Sequence, residues 1–509
     1  MDGHYLAEFA AFYSTSSKGY PNLCRRLHFF SGKPVTRQQI QNAASGGQRT
    51  LNRLQRDYLG FVVLRPIPAA PLGRTVMRWY PDSHATTTPR VVTPSRVYEV
   101  HVSGVTLEVI GLAWQQQDSA VGACATIGLW TILHSSAFDD HHAIPTTADI
   151  TQAAHKHASL GARIFPSTGL TVSQICEAIK EQNLSPVLFE GDVSHEDGKT
   201  LGFSQERFAS SCAALLRSGY PVLLIGILEG QGGHAICAVG FRTPKPRLML
   251  PHTVNTKKSS VEFEDSSVEH LYIHDDNLGP SVRFRIEQEQ VEVSPEKIRC
   301  VRQNEASECE CCRVISAKTK EGVVLKPDPP PPRSSRPSPD CPATNYTGFR
   351  PIRLLVAVHN GLRTSPDTLH HAGLVHAKRI NDVYSVMGSR ASSNSSITFS
   401  TRFIKLAAYI GDTLSQTLSH QPKVLGRVRV YLCEQVPPMS LHIGVVRIGL
   451  RGNMPFGGMP LIDILYDTTD SDRNHPVFAH VVYDRAATTM IAFWREREIG
   501  KYGVFIKAY

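Results

Sequence analysis

The segment KPDPPPPRSSRPSPDCPATN, residues 326–345, restricts the possible folds of this chain more than any other stretch. Proline has a fixed φ and no backbone N–H to donate, so a run this rich in proline can join neither a helix nor the interior of a sheet. Such a composition is typical of an extended, polyproline-like spacer. A ligand for a proline-binding module is the alternative. We predict a Pro-rich linker at residues 318–345.

The length of the chain argues for several folded parts. At 509 residues it exceeds a single ordinary core, because chains normally divide into domains beyond about 250–300 residues. A softer boundary, rich in Pro, Ser and Thr, lies at residues 80–96. We therefore expect a basic, mixed α/β N-terminal domain at 1–95, a middle domain at 96–317, the linker, and a β-rich C-terminal accessory domain at 346–509.

Positive charge is concentrated in the first of these domains. Residues 1–95 contain twelve Lys and Arg against four Asp and Glu, and the whole chain has a net charge of +9. This charge suits an acidic partner or nucleic acid, although a solvated surface rich in arginine is the simpler interpretation. No zinc-finger spacing and no basic motif with interleaved aromatic residues favours nucleic acid.

The composition predicts a cytoplasmic protein with no membrane contact. No stretch approaches the roughly 20 apolar residues that a spanning helix needs. The N-terminus carries Asp2 and Glu8 rather than the basic region of a signal peptide. Eleven irregularly spaced cysteines do not suggest a disulfide framework, so reduced thiols are expected.

The middle segment is predicted to place helices before strands. Apolar residues recur at helical spacing in CATIGLWTILHSS, TTADITQAAHKHA, LTVSQICEAIKEQNL and FSQERFASSCAALLRSGY. PVLLIGIL, HAICAVGFR and HLYIHD are short apolar runs bounded by turn residues, as strands are. This order indicates an α+β fold. Beyond the linker we expect more strands, beginning with RVRVYLCEQV.

One cysteine stands where a thiol nucleophile is expected. In QQQDSAVGACATIGLWTIL, residues 115–133, Cys124 follows a polar loop and begins an apolar helical pattern. A helix N-terminus and a neighbouring imidazolium both stabilise a thiolate. We therefore predict that Cys124 is a nucleophile. Five other cysteines lie within apolar patterns and are predicted to be core residues: Cys24, Cys176, Cys212, Cys237 and Cys433.

Two later segments supply the partners that such a thiol needs. His234 follows two glycines at the start of an apolar strand, where its imidazole can act as a base. Asp275 ends the next apolar strand at a turn, where it can orient the imidazole, and Asp276 and Asn277 are reserves.

An acyl-transfer site also needs donors to the oxyanion that forms in the reaction. The backbone N–H of Cys124 is one such donor. Gln115, Gln116 and Gln117 each offer a side-chain amide a few residues upstream.

The order Gln, Cys, His, Asp resembles that of papain-like cysteine peptidases. Residues 98–300 resemble most closely the compact bacterial branch that trims peptides at double-glycine sites, the bacteriocin-processing peptidases. GYPVLLIGIL, GGHAICAVGF and IHDDNLG carry the likeness. The resemblance implies a papain-like catalytic domain with a Cys124–His234–Asp275 triad and a thioester intermediate.

Two departures from the family pattern affect the site. The family usually has Asp-Cys-Gly, whereas this chain has Ala123-Cys124-Ala125. The family Gln stands six residues before the Cys, but here Asp118 occupies that position and Gln117 lies seven residues before. We assign Gln117 as the side-chain oxyanion donor, with Gln115 and Gln116 as alternatives.

These features predict a cysteine peptidase or isopeptidase that acts on a peptide or protein substrate. A catalytically inactive papain-like binding module, or a transglutaminase-like acyltransferase with the same triad, is the alternative. No metal and no cofactor are predicted. The cysteines of SECECC, residues 307–312, lack the paired C-x2-4-C spacing of a structural zinc site.

Overall fold

The structure is a computed structural model that describes most of the chain. The described residues are 2–81, 90–118, 120–140, 142–157, 164–166, 169–194, 200–243, 261–263, 268–291, 320–328, 348–386, 397–434, 436, 439–450, 460–469, 477–484 and 504–509.

The N-terminal part combines short helices with two small sheets. Its elements are α1 (Gly3–Ala11), β1 (Arg25–Phe30), α2 (Arg37–Ala44), α3 (Gln48–Asp57), β2 (Tyr58–Leu64), β3 (Leu72–Met77), β4 (Arg96–Val102) and β5 (Val105–Gly111). Strands β1, β2 and β3 form one antiparallel sheet, and β4 and β5 form a hairpin.

The next part contains the four predicted helices. Its elements are α4 (Cys124–Leu133), α5 (Thr147–His155), α6 (Val172–Lys180), β6 (Leu184–Glu190), β7 (Val193–Ser194), β8 (Thr200–Gly202), α7 (Gln205–Arg217), β9 (Val222–Leu228) and β10 (Gly232–Arg242). Thr146 and Thr171 cap α5 and α6 with capping boxes, which satisfy the first amide groups of each helix.

Strands and a second group of helices complete the described chain. They are β11 (Val261–Phe263), β12 (His270–Asp275), β13 (Gly279–Val291), β14 (Lys320–Pro327), β15 (Phe349–His359), α8 (Pro366–Val386), β16 (Ile397–Lys405), α9 (Leu406–Ala408), α10 (Leu414–Thr417), α11 (Pro422–Glu434), β17 (His442–Leu450), β18 (Ile462–Asp467), β19 (Val477–Val482) and β20 (Val504–Lys507). A π-helical turn, Tyr409–Thr413, joins α9 to α10.

A seven-stranded antiparallel sheet carries the candidate site. Its order is β14-β13-β12-β10-β9-β15-β6, and one further pair, Leu325 with Phe349, joins β14 to β15. Six of the strands therefore form a closed ring. Helix α4 packs against β10 and β9, and α7 packs against β10 and β16. The chain thus combines helices with antiparallel sheet, and the buried α4 is covered on all sides.

This sheet crosses the predicted domain boundaries. We predicted that the middle domain ends at residue 317 and that a linker at 318–345 separates it from a domain at 346–509. Instead β14 pairs with β13, and β15 is inserted between β9 and β6. The proline run lies mainly outside the described residues; strand β14 precedes it and strand β15 follows it. The middle segment alone therefore lacks two strands of its own sheet.

The boundary at residue 95 does not separate two cores either. The largest hydrophobic cluster contains Phe61 from the N-terminal part, Trp130 from α4, Leu355 from β15 and Phe399 from β16. Backbone hydrogen bonds join Thr75 on β3 to Trp114. The predicted parts therefore share buried side chains.

The C-terminal part differs from the predicted β-rich domain by its helices. Its sheet has the order β11-β16-β17-β18-β19-β20, but α8 and the segment from α9 to α11 pack on it. The predicted strand RVRVYLCEQV is wrong, since most of it belongs to helix α11. Val428 and Leu432, four residues apart, form the buried stripe of that helix.

No helix in the described ranges is both long enough and apolar enough to cross a bilayer.

Candidate active site

Cys124 is the first residue of α4. Ala123 stands at the N-cap with extended backbone, and no side chain of the described residues makes a capping hydrogen bond there. The first-turn amides of a helix have no partner within the helix and carry its positive dipole end. The half-buried Cys124 thiol therefore lies at the positive end of a buried helix.

The loop before Cys124 is held by a carboxylate. Asp118 Oδ1 accepts the backbone N–H groups of Ala120, Val121 and Gly122 at 2.6–3.0 Å. Asp118 Oδ2 forms an ion pair with Arg65 at 3.3 Å. This explains the residue found six positions before the cysteine: Asp118 is a carboxylate that shapes the loop, and a carboxylate cannot donate to an oxyanion.

Arg65 ties the same loop to the first helix. Its guanidinium also forms an ion pair with Glu8 of α1 at 3.0 Å, and both side chains are almost fully buried. Glu8 Oε1 in turn accepts hydrogen bonds from Gln115 at 2.5 Å and Thr147 at 2.7 Å. Part of the positive charge of the N-terminal part, that of Arg65, is thus neutralised by buried ion pairs and does not reach the surface.

His234 of β10 meets both the thiol and the carboxylates. Its Nε2 lies 3.3 Å from Asp275 Oδ2, and its ring is within hydrogen-bond reach of Cys124. Because Nε2 faces the carboxylate, Nδ1 is the nitrogen left for the sulfur. The structure therefore brings Cys124, His234 and Asp275 together in the order that the sequence predicts.

Asp275 is fixed from three directions. Its Oδ1 accepts the backbone N–H groups of Asn277 and Leu278, each at 2.8 Å, so that the turn after β12 is built on this carboxylate. Its Oδ2 faces His234, and its backbone oxygen accepts the indole N–H of Trp114 at 2.9 Å. The side chain is fully buried and cannot turn away from the imidazole.

Asp276 lies on the same imidazole. Its Oδ1 is 3.5 Å from His234 Nε2, the side chain is almost fully buried, and neither oxygen has a hydrogen-bond partner of normal geometry among the described residues. Burial, together with the negative charge of Asp275, raises the pKa of Asp276 to about 7, against the lowering effect of His234. The sequence offered Asp276 only as a reserve for Asp275.

The electrostatic environment favours the protonated form of His234. Burial lowers the pKa of His234, but the hydrogen bonds with Asp275 and Cys124 and the charges of Asp276 and Asp275 outweigh it. The pKa of His234 rises to about 10. His234 is therefore an imidazolium near neutral pH, a charge that stabilises a thiolate beside it.

The three glutamines have different environments. Gln115 is buried on Glu8, and Gln116 Oε1 accepts the backbone N–H of Leu72 at 3.2 Å. Gln117 instead donates its side-chain amide to Asn277 Oδ1 at 3.0 Å, in the turn that follows Asp275. Of the three, Gln117 therefore has its side chain directed to the turn beside His234.

One residue of the site was missed by the sequence argument. Phe349, the first residue of β15, packs its ring against His234 with a centroid separation of 6.3 Å and an interplanar angle of 80°. Gly226 makes room for this strand, because a Cβ at Gly226 would lie 2.0 Å from the Arg350 backbone oxygen. The proline run between β14 and β15 was interpreted as a domain linker, so Phe349 was assigned to a separate domain.

The imidazole of His234 and the two carboxylates beside it are side chains of the types that bind metal ions. In the described part of the chain, His234, Asp275 and Asp276 bring one ligand atom each within 4.8 Å of one another. Nitrogen and carboxylate oxygen ligands suit divalent zinc or a similar ion. The SECECC cysteines lie outside the described residues.

The remaining described cysteines differ from Cys124. Cys212 and Cys237 are buried, and burial raises the pKa of both thiols, as expected for core residues. Cys24 and Cys176 are half-buried. The prediction that Cys433 is a core residue is wrong: it is exposed, because the segment is a helix and Cys433 lies on its outer side.

The sequence was compared with models of known protein families and with curated proteins. No family model matches it, and no curated protein matches it.

Proposed function

We propose that this protein is a thiol hydrolase, a cysteine peptidase or isopeptidase, with Cys124 as its nucleophile. The single observation that carries the proposal is the position of His234, whose Nε2 lies 3.3 Å from the Asp275 carboxylate and whose pKa is also raised by a hydrogen bond with Cys124. Nucleophilic catalysis by a thiol needs this chain of a nucleophile, a base and an orienting group.

The first half-reaction forms a thioester. Cys124 Sγ attacks the carbonyl carbon of the substrate, and the negative charge moves to the carbonyl oxygen. The Cys124 backbone N–H and the Gln117 amide are the proposed donors to that oxygen. His234 then gives its Nδ1 proton to the leaving amine as the carbon–nitrogen bond breaks.

The second half-reaction releases the acyl group. His234, now neutral, removes a proton from water, and the hydroxide attacks the thioester carbon. The carbon–sulfur bond breaks, and the Cys124 thiolate and the His234 imidazolium are restored. Throughout both steps Asp275 holds the Nε2–H of His234 and keeps Nδ1 directed at the sulfur.

A papain-like arrangement is part of the proposal. A buried helix that begins at the cysteine packs on an antiparallel sheet, and neighbouring strands β10 and β12 of that sheet supply the histidine and the aspartate. This layout supports the family resemblance read from GGHAICAVGF and IHDDNLG. The acidic loop residue Asp118 is a departure from that family's usual motif.

Single-turnover acylation with an activated peptide ester tests the proposal. Cys124→Ala should reduce acylation to background because the nucleophile is gone, and His234→Ala should be nearly as severe. Asp275→Asn should cost about 10²–10⁴-fold by leaving the imidazole in the wrong tautomer. Gln117→Ala should cost about 10²–10³-fold through the loss of one oxyanion donor.

Cys176→Ala is the matched control, since Cys176 is also half-buried and lies within a helix, α6, but no histidine of the described residues acts on its thiol. It should react as the wild type does. An acyl group that passes to an added amine faster than to water would make the protein an acyltransferase. Equal acylation of the wild type and Cys124→Ala would contradict the proposal and leave a binding module.

A further inference from the structure

A second buried charged cluster lies in the C-terminal sheet, centred on Asp463 of β18. Its carboxylate accepts both donors of a bidentate Arg447 guanidinium, each at 2.7 Å. It also accepts the hydroxyl hydrogens of Tyr483 at 2.7 Å and Tyr409 at 3.0 Å. Four donors therefore surround this one carboxylate, one at Oδ1 and three at Oδ2.

Arg402 stands beside this cluster without a carboxylate of its own. Strand β16 pairs Arg402 with Val445 and Ser400 with Arg447, so that Arg402 and Arg447 project from the same face of the sheet as diagonal neighbours. The one hydrogen bond of Arg402 within the described residues goes to the Thr413 hydroxyl at 2.9 Å. No described carboxylate forms an ion pair with it.

The positive charge of this cluster exceeds its negative charge. Burial, together with the charges of Arg447 and Arg217, lowers the pKa of Arg402 to about 10 although Asp463 opposes the effect. Tyr409 and Tyr483 add no negative charge, because burial and the nearby Asp463 raise the pKa of both phenols. Buried charge without a counter-charge is costly, so the cluster favours the entry of an anion.

Two threonines add hydrogen-bond donors at the same place. Thr413 and Thr417 lie four residues apart on one helical segment and so share a face of it. Each hydroxyl oxygen accepts a guanidinium hydrogen, Thr413 from Arg402 and Thr417 from Arg447. The hydrogen of each hydroxyl is then left to donate. The Arg447 side chain remains 23% exposed, so the cluster opens to solvent.

We propose that Arg402, Arg447, Thr413 and Thr417 form a binding site for a tetrahedral oxyanion, the phosphoryl group of a small ligand. Planar guanidinium groups match the oxygen edges of a phosphoryl group, and hydroxyl donors complete its coordination. The site is separate from the thiol chemistry of Cys124 and does not depend on it.

Titration of the full chain with inorganic phosphate tests this site, at constant ionic strength maintained with chloride. Calorimetry and thermal melting should both show saturable binding, with a melting temperature that rises with phosphate concentration. Phenyl phosphate should bind as well if the site takes a phosphoryl group on a larger ligand. Binding of phosphate and sulfate but not phenyl phosphate would restrict the site to the free anion and overturn the ligand class.

Arg402→Gln should weaken phosphate binding at least about 10-fold while the protein stays folded, because the substitution removes a half-buried charge that no carboxylate of the described residues pairs. Arg427→Gln is the matched control, an arginine of α11 in the same part of the molecule that hydrogen-bonds the Tyr509 backbone oxygen instead. It should bind phosphate as the wild type does. Thr417→Val keeps every charge and should weaken phosphate binding several-fold. This variant tests the site if Arg402→Gln does not fold. Unsaturable binding by the wild type, or equal binding by both arginine variants, would overturn the proposal.

Discussion

At the scale of single residues, two neighbouring acids face the same ring nitrogen of His234. Asp275 is fixed by backbone amides and by its contact with His234, whereas Asp276 is buried beside the same ring without hydrogen bonds from described residues. The two carboxylates are adjacent in sequence but have different roles. Asp275 orients the imidazole, whereas Asp276, whose pKa is raised to about 7, favours the imidazolium only once it ionises.

The raised pKa of Asp276 should make the stability of the protein depend on pH. A raised pKa means that the folded state binds the proton more tightly than the unfolded state does. The stabilisation is therefore complete below the ordinary pKa of 3.8 and is lost as the pH rises through about 7. His234 acts in the same direction, with stabilisation complete below 6.5 and lost as the pH rises through about 10.

The substitution Asp276→Asn should therefore reduce the loss of unfolding free energy that occurs as the pH rises. Between pH 4 and pH 9 the free energy of unfolding of the wild type should fall relative to that of the variant, by up to about 4 kcal/mol, since one pKa unit corresponds to about 1.4 kcal/mol. Urea unfolding of both proteins at one-unit pH intervals measures this difference. Parallel curves would show that Asp276 is not held in the protonated form by the fold.

At the scale of elements, β15 decides whether the sheet around the site is complete. It lies between β9 and β6, and its Phe349 packs on His234. A chain that stops at residue 317, where the sequence predicted the end of a domain, lacks both β14 and β15. Strand β6 would then have no partner in this sheet, and β9 would become an open edge.

The 1–317 fragment should therefore not unfold cooperatively, and its Cys124 should lose its reactivity. The matched control is the full chain with residues 329–347 replaced by a Gly-Ser segment of equal length, which should melt cooperatively because β14 and β15 remain. Calorimetry of both proteins makes the comparison. Cooperative melting of the fragment at the temperature of the full chain would show that the predicted boundary is a true domain boundary.

The elements also show how far sequence reasoning reaches. Helices α4 to α7 and strands β9, β10 and β12 could be predicted, because their apolar periodicity and bounding turn residues are local signals. RVRVYLCEQV alternates as a strand does, yet it forms α11, because Val428 and Leu432 bury at helical spacing against the C-terminal sheet. Tertiary packing overrode the local preference of its valines.

At the scale of the whole molecule, distant segments converge on one site. Glu8 near the N-terminus holds Arg65, Arg65 holds Asp118, and Asp118 shapes the loop before Cys124. Phe349 reaches the site from the other side of the proline run. The residue types of the candidate site could be predicted because their chemistry is local to short motifs. These supporting contacts could not, because they join residues separated by long stretches of sequence and have no local pattern.

The central claim is that Cys124 is an activated nucleophile, and alkylation kinetics test it most directly. Iodoacetamide labelling of the folded protein near neutral pH, mapped by mass spectrometry, compares Cys124 with Cys433, which is exposed and has no histidine partner in the described chain. Although half-buried, Cys124 should react at least about 10-fold faster, since thiolate formation rather than exposure governs the rate. His234→Ala should abolish that advantage and leave the rate at Cys433 unchanged. Labelling of Cys311, Cys312 or Cys433 ahead of an inert Cys124, or a Cys124 rate indifferent to His234→Ala, would contradict the account.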